Sequence, residues 1–186
     1  MESTLVIGRS TLGIRLGAVV IGAVLVALAA QVAVPLPGTP VPMTLQPMAV
    51  LLVGGLLGPR LGALSMILYL AMGAAGLPVF TPTVPLLGVA RLLGPTGGYL
   101  LAYPIAAYAV GAVVANGSGV WRVACGVLAG LVLIHLGGLA QLAILTSNVS
   151  AAAQLGTWPF LLGDLLKLVI LVPVLTRLTP TIRARL

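Results

Sequence analysis

The chain has 186 residues, 60% of them hydrophobic and 6% charged, with a formal net charge of +7. Soluble domains carry about a quarter charged residues, so a water-solvated fold is excluded and nearly the whole length must be solvated by lipid. The basic excess does not indicate nucleic-acid binding, because the arginines stand singly between apolar runs, with no basic stripe and few aromatics to stack bases.

The N-terminal stretch mimics a secretory signal, with a basic start, an apolar core and Ala27-Leu28-Ala29 as a cleavage-like site. Its apolar run from Leu16 to Val34 exceeds the roughly 7–15 residues of a signal core and reaches spanning length, which predicts a first transmembrane helix over 13–34. A second apolar segment, 47–58, is short and is separated from the third, 60–77, by Gly58-Pro59-Arg60. Proline suits a helix start, so these two read as a helical hairpin whose first arm need not cross fully. Further spans are expected at 94–115, 121–146 and 159–178. No hydrophilic stretch is long enough to fold separately. Residues 1–186 therefore read as a single all-α membrane domain, a bundle of six transmembrane helices.

Three longer connections remain, at 35–46, 78–93 and 147–158. With both termini cytoplasmic they share the outer side, and Arg9, Arg15, Arg60, Arg122, Arg177, Arg183 and Arg185 fall inside, leaving Arg91 alone outside. That asymmetry follows the positive-inside rule and predicts a multi-pass protein of the cytoplasmic membrane. The first connection holds Pro35, Pro37, Pro40 and Pro42, which exclude a helix. Apolar loop backbone at membrane depth must bury against protein or line a cavity, so this segment is expected to act as a lid.

Small residues recur at four-residue spacing, at Gly13/Gly17, Ala23/Ala27, Gly54/Gly58/Gly62, Ala107/Gly111/Ala115 and Gly126/Gly130. Such faces let helices approach closely, and most are expected to serve internal packing. Cys125 reads as a small buried hydrophobe. His135, inside the fifth span, reads as a satisfied core histidine rather than a metal ligand. The acceptor patterns Asn116-Gly117-Ser118 and Asn148-Val149-Ser150 are treated as chance matches. The single lysine follows Leu166, so no Gly-Lys-Ser/Thr phosphate loop exists, and the chain does not bind ATP through that motif.

Asp164 and Lys167 are the sharpest feature, because Glu2 is the only other acid and no other lysine occurs. Spacing i, i+3 puts them on one helix face, one to two turns below the outer surface. Intramembrane ionisable groups are costly unless paired or facing a polar cavity, and mark functional sites. The pair sums to zero, so an anionic guest would leave the pocket at minus one unless Arg91 folds over the mouth. Lysine offers a point charge to a carboxylate, and aspartate accepts N–H bonds. Phe80, Tyr99 and Trp158 are candidate walls. The site implied is a small, mainly apolar pocket for a guest with a carboxylate and N–H groups.

The stretches VPMTLQ (41–46), GLLGPRLGALSMILYLAMGAAGLPVF (55–80), LGPTGGYLL (93–101) and PFLLGDLLK (159–167) together resemble the BioY family, the biotin-binding S components of energy-coupling factor (ECF) vitamin transporters. The resemblance covers most of the chain, in the family's order. It implies six helices, both termini inside, and a biotin site opening outward beneath the loop after the first helix. It implies ligand contacts at Asp164, Lys167, Gly98 and Tyr99, with Thr44 to Gln46 in the lid. It further implies an ATPase pair and a transmembrane coupling protein as partners, the latter docking at Ala23 and Ala27, and biotin as transported substrate with no cofactor. One departure is TPTVPLLGVAR (81–91), where many relatives carry a glycine-rich stretch, so the resemblance does not assign Arg91. Two rivals are an intramembrane enzyme with Asp164 as base and a structural membrane subunit. The first lacks a second acid, metal or nucleophile.

Overall fold

A computed structural model describes residues 2–117 and 119–186, with side chains from residue 12 onward. The side chains of Glu2 and Arg9, and Ser118 of the Asn116-Gly117-Ser118 pattern, lie outside the described residues. Helix α1 (Glu2–Gln31) leads into a two-residue strand, β1 (Ala33–Val34), which pairs antiparallel with β2 (Met43–Thr44) in the register Ala33↔Thr44 and Val34↔Met43. The proline-rich connection is thus a short, pinned hairpin. Proline cannot donate to a ladder, which keeps the pairing to the two ends of the loop.

Helices α2 (Gln46–Leu57) and α3 (Pro59–Ala74) form the expected tight pair. Gly58 between them adopts a φ of 86°, a conformation that L side chains avoid, and Pro59 opens α3. The remaining helices are α4 (Val89–Leu93), α5 (Gly97–Ala115), α6 (Val120–Thr146), α7 (Val149–Gly156) and α8 (Leu161–Arg183), with a 3-10 turn at Trp158–Phe160 before α8. The connections expected at 78–93 and 147–158 therefore each contain a helix. Asn148 caps α7, its side chain accepting from the Ala151 N–H at 3.1 Å. Among the described residues, four stretches are long and apolar enough to cross a membrane, namely Leu12–Gln31, Gly97–Ala115, Val120–Thr146 and Val149–Arg183; α2 and α3 are shorter apolar helices.

Glycine sets the tightest crossings. A Cβ at Gly54 would strike the Ala107 backbone, one at Gly62 would strike Gly54, and one at Gly111 would strike Gly58 and Pro59. Helices α2, α3 and α5 meet there nearly backbone to backbone, as small-residue faces permit. At the same end of the bundle, Arg183 of α8 donates to the carbonyls of Gly55 (2.7 Å) and Gly111 (3.1 Å).

The first helix departs from expectation. Gly22, Ala23, Val26 and Ala30 are buried, with Gly22 against Ser65 of α3 and Val53 of α2. Ala23 is fully buried and Ala27 half-buried against the core, so this stripe is an internal seam rather than a free docking face. Helical periodicity instead turns Gly13, Gly17, Ile21, Val24 and Leu28 outward. Cys125 is likewise exposed rather than buried.

Candidate functional site

Opposite the glycine crossings, the hairpin, the start of α2, α4, the first turns of α5 and α8 and the middle of α6 enclose a pocket. It holds about 590 Å³ of empty space, its open mouth included. Its lining brings together Thr44, Gln46, Phe80, Arg91, Tyr99, Asp164 and Lys167, seven residues singled out from the sequence. Two others are elsewhere. Gly98 faces a groove between α5 and α6, where a Cβ would strike the Gly137 carbonyl. Trp158 sits on the 3-10 turn and is 65% exposed, so it forms no wall. Phe160, two residues on, is buried and lines the pocket in its place.

Lys167 donates to Asp164 Oδ1 at 2.8 Å, the i, i+3 pair expected on α8. Asp164 Oδ2 is also held, by His135 Nε2 on α6 at 2.5 Å. Both carboxylate oxygens are therefore engaged within the protein, which offsets the cost of keeping the charge out of water. His135 is satisfied, as a core histidine should be, but by the aspartate of the site. Its Nδ1 is buried without a partner. A carboxylate oxygen can only accept, so the Nε2 that faces it carries the proton and donates.

Across the pocket, Arg91 on α4 is 1% exposed. Its Nη1 donates to the Val84 carbonyl at 2.5 Å and its Nη2 to the Thr81 carbonyl at 2.7 Å, folding the connection 81–91 back upon itself. Nε has no partner, and among the described residues no carboxylate pairs with this guanidinium. Burial lowers the Arg91 pKa from its ordinary value, and a guanidinium is basic enough to remain charged all the same. Asp164, Lys167 and Arg91 together give the pocket a formal charge of +1. Thr96, also in the lining, presents a buried hydroxyl without a partner.

Four further sets of contacts fix the frame. Gln46 donates through Nε2 to the Tyr69 hydroxyl at 2.5 Å, and that hydroxyl donates to the Val79 carbonyl at 3.2 Å. This chain ties the base of the hairpin to the segment before Phe80. Tyr99 donates to the Gly156 carbonyl at 2.6 Å, joining α5 to α7. Thr39 at the hairpin tip donates to the Leu155 carbonyl at 2.6 Å, so the hairpin lies over the pocket against α7. Gln141 of α6 donates to the carbonyls of Leu92 (3.0 Å) and Gly94 (2.7 Å), satisfying the end of the helix that carries Arg91.

Sequence reasoning missed Tyr69, Thr96, Phe160 and the role of His135. His135 carried one usable sign: in a chain this poor in polar groups, a lone histidine within a span is matched by a lone buried acid.

A family model described as the BioY family matches residues 9–184. A probable biotin transporter BioY of Pyrococcus horikoshii is 42% identical over 128 residues, covering 69% of this chain and 74% of its own. The biotin transporter BioY of Thermotoga maritima is 37% identical over 155 residues, covering 83% and 89%. Among solved structures, the S-component for biotin from an ECF-type ABC transporter superposes with a TM-score of 0.79 at 26% identity, covering 88% of this chain and 89% of the other.

Proposed function

Because the chain belongs to the BioY family, we propose that it binds biotin from outside the cell and delivers it inward as the substrate-capturing component of a vitamin uptake system. It acts as one domain of six membrane-crossing helices in the cytoplasmic membrane. Both termini face the cytoplasm, so the pocket opens outward. An ATPase pair and a transmembrane coupling protein of the ECF type supply the energy, and no cofactor takes part.

The observation that carries this reading is the charge of the pocket. Arg91 is a buried cation with no internal anion, and it faces a pair, Asp164–Lys167, that already cancels itself. A guest carrying one carboxylate brings the site to neutrality, and biotin is such a guest. Its ureido N–H groups match the lone pairs left on Asp164 and on the Thr96 hydroxyl, and its ring and chain match the Phe80, Phe160 and Leu100 surfaces. Asp164, Lys167, Arg91, Tyr99, Thr44, Gln46 and Phe80 are the residues assigned to the ligand.

Isothermal titration of the detergent-purified chain with biotin and desthiobiotin tests this. Tight binding of one biotin per chain is expected, weakened at least about tenfold (1.4 kcal/mol) by Lys167→Ala. Unchanged affinity in that variant removes the assigned role of Lys167. Mass spectrometry should return the biotin chemically unaltered; turnover would favour an enzyme instead.

A further inference from the structure

His135 touches more than the aspartate. Together with Asp164 it lines the biotin pocket on one side and, on the other, a lateral groove between α6 and α8. That groove is otherwise almost wholly apolar, built from residues such as Leu128, Val132, Leu136 and Leu165, all of them exposed on the flank of the bundle. The His135–Asp164 bond therefore spans the two helices in a wall that the pocket and the groove share. It is also the contact that leaves Oδ1 of Asp164 to Lys167, whose ammonium keeps two further N–H donors for a guest.

We propose that His135 is a positioning residue for biotin capture: through Nε2 it fixes the Asp164 carboxylate, thereby aims the Lys167 ammonium into the pocket, and seals the pocket from the groove on the flank. The proposal rests on the assignment of this pocket to biotin. Without the histidine bond, Asp164 keeps one partner, its carboxylate rotates toward Lys167 alone, and the ammonium is drawn away from the guest. Glutamine places an amide N–H near the position of Nε2 and should hold the carboxylate, whereas leucine fills the space without a donor.

Two measurements test it. Titration with biotin should show His135→Leu at least about tenfold weaker than wild type and His135→Gln within about threefold. A histidine that merely fills space predicts equal losses in both or none in leucine, and either result overturns the proposal. The chain has a single histidine, so selectively labelled protein freed of any affinity tag gives one imidazole spin system by nuclear magnetic resonance. The Nε2 proton should resonate far downfield, shift on biotin addition, and lose that position in Asp164→Asn. Absence of the downfield proton in the wild type overturns the proposal even if His135→Leu fails to fold. A wild-type chain that binds no biotin overturns the substrate assignment first; wild-type binding equalled by His135→Leu overturns the role of His135 alone.

Discussion

The two ends of the bundle are built from opposite materials. At the Gly58 end, helices α2, α3 and α5 touch through glycine, and the polar bonds are a few arginine contacts to carbonyls. At the hairpin end the helices part around a pocket, and aspartate, lysine, histidine, glutamine and tyrosine bridge the gap through named bonds. In lipid no hydrophobic force pulls helices together, so close packing must supply the cohesion. A region that is empty at its centre forfeits that packing and must be held by hydrogen bonds. The first end is rigid because it is full, and the second keeps its shape because its polar groups are paired.

That contrast is open to attack, starting where the effect should be greatest. Gly54→Val forces side-chain carbon into the Ala107 backbone and should destabilise the bundle by about 3 kcal/mol, read as a lowered midpoint in detergent unfolding. If it is tolerated without loss, the backbone-to-backbone crossing is not what secures that end. Next, Arg91→Met removes the unpaired cation and should weaken biotin binding at least about tenfold, with a smaller fall in the unfolding midpoint than Gly54→Val. Equal affinity would mean that the net charge of the pocket is irrelevant to the guest. Tyr69→Phe deletes the hydroxyl between Gln46 and Val79 and should cost about 1 kcal/mol of stability, with a loss in affinity of about threefold as the hairpin base loosens. Smallest of all, Trp158→Ala should change biotin affinity by less than about twofold, since the ring projects outward. A large effect there would show that the pocket extends beyond the walls described.

The Asp164–Lys167 pair was legible because both residues lie on one helix, where spacing alone fixes the shared face. Arg91 stood out for a similar reason, as the single cation on its side of the expected topology. Gly98 and Tyr99 show how narrow that legibility is. Neighbours on a helix point about 100° apart, so the tyrosine enters the pocket while the glycine meets α6. Ala23 and Ala27 expose the same limit, for a small-residue stripe serves an internal seam as readily as a partner.

What the sequence determined by itself is the solvent and the inventory. Its apolar runs require lipid, its glycines and Pro59 mark the tight hairpin of α2 and α3, and its few ionisable groups must find partners or a guest. Only the tertiary structure decided the pairings: His135 with Asp164 across two helices, Gln46 with Tyr69, and Arg91 with the carbonyls of its own loop. The first two depend on the relative rotation and depth of separate helices, and the third on how one connection folds back on itself. Those quantities come from how whole helix surfaces interlock, and no local spacing along the chain encodes them.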